Sequence, residues 1–459
     1  MNIKNRTIFE NDNLFVLRGM DSESVDLIYL DPPFNSNRSY AAPIGSQAAG
    51  AAFKDTWTLS DVDNAWHGEI ADREPALYQT IHVSELIHGK SMKSYLIMMA
   101  VRLLEMKRIL KKTGGLYLHC DPTASHYLKV LMDSIFGKNN FRSEITWKRA
   151  TSTQKGSQHR STRWGNNADI LLYYAGSSSA ALRPERELTE TEILKKFKHI
   201  DENGERYYND SAHIWSSPSM GTRPNLCYEW RGFVNPHPSG WRLSKERLEE
   251  EYEKGNIVIR ADGKLERRKY LKDYKGASYG NIWDDVRPPA KEERTGYPTQ
   301  KPLALLERII KASSNDGDVV LDPFCGCATT CVAAERLGRQ WIGIDISEKA
   351  VDLVRMRLEE EVGLLGAVIH RTDIPKRSEK LPNYQTHKHT LYGKQEGLCN
   401  GCQTQFPFRN MTVDHIIPRK HGGTDAFDNL QLLCGACNST KGTGAQAELL
   451  AKLQEQGIL

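Results

Sequence analysis

Residues 319–347 read VVLDPFCGCATTCVAAERLGRQWIGIDIS, and this stretch decides the fold class. It begins with a short apolar run, VVL, that stops at Asp322. A tight loop follows, then a helical stretch from Thr329 to Arg339, then a second apolar run that ends at Asp345. Strand, loop, helix and strand in that order predict a βαβ unit of a parallel sheet. Ligands bind such sheets beyond the carboxyl ends of the strands, which puts Asp322, Gly326 and Asp345 on a binding rim. Asp345 follows the glycine loop by roughly 20 residues, the spacing at which a carboxylate meets ribose hydroxyls in dinucleotide folds. A dinucleotide fingerprint also needs three glycines against a pyrophosphate, and only Gly326 is present. A cofactor without phosphates, held through its ribose, fits better.

The same texture recurs at the other end of the chain. Residues 7–10 form a short strand candidate, and VDLIYL at 25–30 is an apolar run that ends at Asp31-Pro32-Pro33-Phe34. Residues 91–112 carry helical periodicity, Gly114-Gly115 is expected to stop that helix, and 116–120 is the next strand. Strands separated by helices predict a parallel sheet covered on both faces. Asp31 then shares a rim with Asp322 and Asp345. Two consecutive prolines stiffen its loop and leave their carbonyls free of local N–H partners. Such a loop suits attack by a base amine, whose lone pair is delocalised into its ring. The Asp31 carboxylate and the Pro32 carbonyl can each accept one amine hydrogen, and Phe34 offers a ring on which a flipped base can stack.

Composition sets bounds on the rest. The chain has 459 residues, 39% of them hydrophobic and 26% charged, with a net charge of +4, so two or three domains with ordinary cores are expected. No stretch of about 18 apolar residues occurs and the N-terminus has no apolar signal region, so no membrane span and a cytoplasmic location are expected. From about 150 to 295 basic and aromatic residues interleave, as in Arg163-Trp164, Trp230-Arg231, Trp241-Arg242 and Arg267-Arg268-Lys269-Tyr270. That texture suits phosphate neutralisation and base contact, and equally suits ordinary packing.

The segment Asp322-Pro323-Phe324-Cys325-Gly326-Cys327-Ala328-Thr329-Thr330 resembles the S-adenosylmethionine (AdoMet) motif of amino-methyltransferases. It departs from the usual pattern at Cys327 and at Ala328, where a glycine is usual. An added Cβ there requires either a negative φ or a remodelled loop. With Asp31-Pro32-Pro33-Phe34 as catalytic motif, the chain resembles the β group of DNA amino-methyltransferases over about residues 1–370. The resemblance implies a Rossmann-like α/β fold with an inserted target-recognition lobe. It implies Asp31, Pro32, Pro33 and Phe34 as catalytic residues and Asp322, Phe324, Gly326, Thr329 and Asp345 as cofactor contacts. Gly296-Tyr297-Pro298-Thr299-Gln300-Lys301-Pro302 resembles the helix-initiating segment beside the methionine end of the cofactor, which implies Thr299 and Lys301. Asn11-Asp12-Asn13 resembles the cofactor-adenine segment, which implies Asp12. An Asp-initiated catalytic motif in this family favours adenine N6, and cytosine N4 stays open.

The last sixty-odd residues hold Cys399-x2-Cys402 and Cys434-x2-Cys437, the spacing of a structural zinc site. A module this small buries little core, so a metal staple makes physical sense. Between and after the pairs stand Asp414-His415, Asn429 and Asn438. This module resembles the zinc-containing HNH nuclease family over about 393–445, a small ββα-metal fold. The resemblance implies His415 as general base, Asp414 and Asn438 as ligands of a catalytic divalent metal such as Mg²⁺, and Asn429 as the residue that orients the loop.

The expected domains are a catalytic half of the methyltransferase core at 1–149, a target-recognition lobe at 150–295 and an AdoMet-binding half at 296–371. A linker at 372–392 and the HNH module at 393–459 complete the chain. The expected partner is double-stranded DNA, and a homodimer stays open. Two alternatives also stay open: an HNH-like module that only grips DNA, and a DNA-binding regulator with an inactive methyltransferase core.

Overall fold

The structure, a computed structural model, describes residues 1–34, 38–41, 52–55, 70, 74–150, 166–235, 237–363, 367–378, 383–421 and 423–459. The chain divides into two compact units, one of Met1–Arg183 with Gly280–Leu459 and one of Pro184–Tyr279.

The first unit is built on a nine-stranded sheet. Its order is Ile282–Trp283, Phe141–Trp147, Asp169–Ala175, Leu110–Cys120, Val25–Leu30, Val319–Asp322, Gln340–Asp345, Thr7–Glu10 and Ile369–Arg371. Neighbours are parallel except around Asp169–Ala175, which runs antiparallel to the strands on both sides. Val25–Leu30 and Val319–Asp322 are adjacent, so the two ends of the sequence meet at the middle of the sheet. Side chains alternate between the two faces with period two. Ile28, Leu30 and Leu321 enter one core with Leu96, Met99 and Leu103. Leu27, Tyr29 and Val320 enter the other with Leu306, Ile309 and Ala333. Both faces are therefore covered, which explains why these strands read as nearly continuous apolar runs, with Asp26 the interruption.

Three local expectations change. The helix at 91–112 spans Lys90–Ile109, and the chain passes directly into the strand Leu110–Cys120. Gly114 and Gly115 lie inside that strand, and a Cβ at Gly114 would stand 2.5 Å from the carbonyl oxygen of Asp26. The glycine allows two backbones to approach closely and is not a helix stop. The helix that the segment Gly296–Pro302 was expected to initiate spans Leu303–Ser313, with Pro302 as its N-cap. The residues before it form an irregular turn in which Thr299 has φ +66°.

The second unit is narrower than the lobe expected at 150–295, because Asp169–Ala175 and Ile282–Trp283 are strands of the large sheet. It carries a four-stranded antiparallel sheet, Ile257–Ile259, Leu265–Tyr270, Arg206–Asn209 and His199–Ile200. Its core is Ile214, Trp230, Trp241, Leu248 and Ile257.

At the C-terminus, Met411–His415 and Leu430–Cys434 pair antiparallel and are followed by the helix Gly435–Lys441. The stretch expected as linker ends in helical structure over Tyr384–His387 and Lys388–Lys394. Its Leu391 is buried in the same core as Met411, Leu432 and Leu449. Phe15, on the helix Asn13–Gly19, stacks on Phe427 of this module with ring centroids 5.6 Å apart.

Candidate active sites

A cavity of about 490 Å³ opens at the carboxyl ends of the central strands. Asp12, Asp31, Pro32, Pro33, Phe34, Thr299, Lys301, Asp322, Phe324, Gly326, Thr329 and Asp345 all line it. The aspartate–diproline turn and the glycine turn, far apart in sequence, thus share one wall.

Asp31 ends the strand Val25–Leu30, and its Oδ2 accepts a hydrogen bond and ion pair from Lys301 Nζ. Its Oδ1 is buried and has no hydrogen-bond partner among the described residues. Leaving a buried carboxylate oxygen unpaired costs about 1–3 kcal/mol or more, so this atom is poised for a donor that the described residues do not supply. Lys301, expected beside the cofactor, lines the cavity and also holds the Asp31 carboxylate, and its ammonium lies 5.4 Å from the Phe34 ring centroid.

The glycine turn is held by Asp345, whose Oδ2 accepts from Gly326 N at 2.9 Å and whose Oδ1 accepts from Ser347 N at 2.9 Å. Gly326 has φ +49°, and a Cβ there would come 3.0 Å from the Tyr297 ring. Glycine is required at this point on both counts. Ala328 has φ +57°, so the expected choice falls on a remodelled, left-handed loop, at a cost of about 1–2 kcal/mol for a residue with a Cβ. Asp322 Oδ1 accepts from Phe324 N at 3.1 Å. Burial, reinforced by the nearby charges of Asp31 and Asp345, pushes the Asp322 carboxyl up to about 7. Burial also raises Asp345. A pocket this rich in carboxylates favours a cationic ligand.

Asp12 caps the helix Asn13–Gly19 and accepts from Leu14 N at 2.8 Å. Arg102 NH2 donates to both of its oxygens, at 2.9 and 3.0 Å. Arg102 Nε also donates to Asn13 Oδ1 at 2.5 Å, and Asn13 Nδ2 donates to Pro323 O at 2.6 Å. The N-terminal segment is thereby tied to the AdoMet-type turn. Sequence reasoning missed Arg102 and Asn13. The available signal was a lone arginine inside the apolar run SYLIMMAVRLLEM.

In the second unit, Trp230 and Trp241 are buried packing residues. Arg231 pairs with Glu249, Arg267 with Asp210 and Glu251, and Arg268 with Glu266. Arg163 and Trp164 lie outside the described residues.

In the C-terminal module the Sγ atoms of Cys399, Cys402, Cys434 and Cys437 all lie within 4.8 Å of one another. Cys399 Sγ accepts from Gly401 N and Cys434 N, and Cys434 Sγ accepts from Cys437 N. A Cβ at Gly401 would stand 2.8 Å from Cys437 Sγ. Four converging sulfurs that accept backbone N–H groups fit a tetrahedral thiolate-bound metal.

His415 Nε2 is 2.9 Å from Asp425 Oδ1, and Arg419 grips the same carboxylate at 2.8 and 2.5 Å. An ionised carboxylate only accepts, so His415 carries its proton on Nε2 and keeps Nδ1 as a base. Asp425 was not singled out from sequence, because in GGTDAF it reads as a loop polar residue. Asn429 accepts from Ile417 N at 2.9 Å and donates to Ile417 O and Thr424 O, bridging the two arms of the loop behind His415. Asp414 Oδ2 receives Lys441 Nζ at 2.8 Å and Gln431 Nε2 at 3.0 Å. Asn438 stands one helical turn before Lys441, whose Nζ also donates to His415 O at 2.8 Å.

A family model described as DNA methylase matches residues 25–356, and one described as HNH endonuclease matches residues 399–444. The chain belongs to the DNA methylase family and carries a C-terminal HNH domain. Among its relatives is the DNA adenine methyltransferase YhdJ of Escherichia coli, 49% identical over 355 residues, which are 77% of this chain and 83% of that one. The type II methyltransferase M.EcaI of Enterobacter cloacae is 28% identical over 381 residues, 82% of this chain and 74% of its own. The type III restriction-modification enzyme StyLTI Mod subunit of Salmonella typhimurium is 28% identical over 352 residues, 72% of this chain and 49% of that longer subunit. Among the described residues no helix is long and apolar enough to cross a membrane.

Proposed function

We propose that this chain methylates adenine N6 at specific sites in double-stranded DNA, using AdoMet, and that its zinc-stapled HNH domain cleaves DNA in a cytoplasmic restriction–modification or defence role. The observation that carries the methyl-transfer half is Asp31, a cavity-lining residue with one carboxylate oxygen clamped by Lys301 and the other buried and without a hydrogen-bond partner among the described residues. The cavity suits AdoMet in size, in its carboxylate-rich lining and in the Gly326 turn, where a Cβ would press on the cavity-lining Tyr297 ring. In this reading 1–149 and 296–371 form the methyltransferase core, 150–295 reads DNA, and 372–392 leads into the HNH domain at 393–459.

AdoMet, when bound, supplies a methyl group already activated by a sulfonium. Asp12, Thr299, Phe324, Thr329 and Asp345 would hold it. Asp31 Oδ1 accepts one hydrogen of the base amine and the Pro32 carbonyl accepts the other, which favours a pyramidal nitrogen with its lone pair aimed into the cavity. Phe34 stacks on the extruded base, so the remaining contribution is alignment. The proton released from the methylated nitrogen passes to Asp31 Oδ1.

In the HNH domain, Asp414 and Asn438 offer hard oxygens that suit Mg²⁺, and His415 Nδ1 takes the proton from water. The alternative that this domain only grips DNA draws support from Asp414, whose Oδ2 is already engaged by Lys441 and Gln431.

Modified-base sequencing of DNA from an expressing host tests the first half. N6-methyladenine in a defined motif, lost in Asp31→Ala, is expected; N4-methylcytosine or no modification overturns the adenine reading. Incubating the purified chain and Mg²⁺ with methylated and unmethylated DNA tests the second. Cleavage confined to unmethylated DNA and abolished in His415→Ala is expected, and no cleavage of either leaves the gripping alternative standing. Light scattering on the same preparation separates monomer from homodimer.

A further inference from the structure

Beneath the catalytic loop lies a buried polar chain that the reaction scheme above does not use. His119 has no exposed surface. Its Nδ1 is 2.8 Å from the Tyr29 hydroxyl, and its Nε2 is 3.3 Å from Asp169 Oδ2. Arg149 holds the other oxygen of Asp169 at 2.8 Å. Burial works to raise Asp169, but the hydrogen bond from His119 and the charges of Lys301 and Arg149 outweigh it and keep the carboxyl below its ordinary range. Asp169 is therefore an acceptor, which assigns the His119 proton to Nε2 and leaves Nδ1 to accept from Tyr29. Tyr29, His119 and Asp169 come from three adjacent strands, so the ring plane of His119 is set by the sheet itself.

That plane has one visible use. The Phe34 ring stacks on His119, with centroids 5.9 Å apart and planes 27° from parallel, while Trp147 meets His119 edge-on at 5.8 Å. Phe34 lines the cavity and His119 does not reach solvent, so Phe34 has His119 behind it and the cavity in front. Among the described residues, His119 is the ring that stacks on Phe34.

We infer that His119, locked by Tyr29 and Asp169, is a positioning residue for methyl transfer: it is the platform that fixes the Phe34 ring against which the extruded base stacks. The inference rests on Phe34 being the ring that receives the base. A loose Phe34 would still permit AdoMet binding but would present the amine in many orientations, so the loss falls on kcat rather than on cofactor affinity.

The test uses the full chain and two duplexes carrying the motif found by sequencing, one with the target adenine for kcat and one with 2-aminopurine in its place, which offers no N6 amine, for emission alone. For His119→Leu, kcat at saturating DNA and AdoMet is expected to fall about tenfold to a hundredfold, the range that base–aromatic stacking commands. The AdoMet dissociation constant should stay within about twofold. The emission of the extruded 2-aminopurine should move toward that of Phe34→Ala, in which the stacking ring is gone. His119→Leu with wild-type kcat and emission overturns the inference. Should that variant not fold, the same readings on Asp169→Asn decide it, since this change keeps volume and removes only the charge that holds Nε2–H: a fall in kcat at unchanged AdoMet affinity supports the platform, and wild-type values overturn it. If Phe34→Ala itself keeps full kcat, the stacking reading fails, which is a separate outcome from failure at His119.

Discussion

Replacing Lys301 with methionine separates two roles that the cavity allows for this side chain. The substitution keeps most of the apolar stem and removes the ammonium that bonds Asp31 Oδ2. Both partners are largely shielded, with side-chain exposures of 10% for Lys301 and 17% for Asp31, so solvent screens the pair only in part. A hydrogen bond to a charged group at such a site is worth about 1.5–3 kcal/mol. Without it the Asp31 carboxylate is free to turn, and the position of its Oδ1 is no longer fixed. If that orientation is needed only as the methyl moves, kcat falls by roughly 10- to 150-fold while KM for AdoMet changes little. A lysine that served the cofactor instead would give the opposite split, with KM for AdoMet raised and kcat kept. Steady-state transfer of labelled methyl groups to DNA, varying AdoMet at saturating DNA, measures both. A raised KM with unchanged kcat would refute the assignment of Lys301 to Asp31.

Four further outcomes follow from the same geometry. Asp322 titrates near 7 in the ligand-free pocket, and a cationic ligand favours its ionised form, so AdoMet affinity should rise with pH through about 7 and level off above it; calorimetry that gives equal affinity at pH 6 and pH 8 would count against this. Ala328→Gly should remove left-handed strain worth about 1–2 kcal/mol, offset in part by glycine's greater freedom in the unfolded chain, and a melting temperature that falls would contradict the strain. In the C-terminal domain, metal analysis should find about one zinc per chain, lost in Cys437→Ser together with DNA cleavage. Asp425→Asn, which loosens His415 without touching the sulfurs, should slow cleavage and keep the zinc; unchanged cleavage would remove Asp425 from the site.

Much of this molecule was legible in one dimension. Apolar runs at 25–30, 319–321 and 341–344 foretold buried parallel strands because a strand covered on both faces has no polar side to show. Each run ends in an aspartate, and the rule that ligands sit beyond carboxyl ends put Asp31, Asp322 and Asp345 together before any coordinates did. The two Cys-x2-Cys pairs were equally plain, since a metal site built from short loops keeps its ligands at short spacing.

What only the tertiary structure decided are the pairings between strands and loops distant in sequence. Lys301 meets Asp31 across 270 residues, Arg102 meets Asp12 across 90, and His119 meets Asp169 across 50. Nothing in the local pattern distinguishes such residues from a cofactor lysine, a stray helix arginine or a core histidine. Sheet order and register bring them together, and a one-residue slip would turn each away. Trp230 and Trp241 show the same limit, for adjacent arginines suggested a nucleic-acid surface where the packed unit turns both indoles inward. Local sequence carries propensity and short-range chemistry, whereas which distant charges neutralise one another depends on burial, and burial is a property of the folded whole.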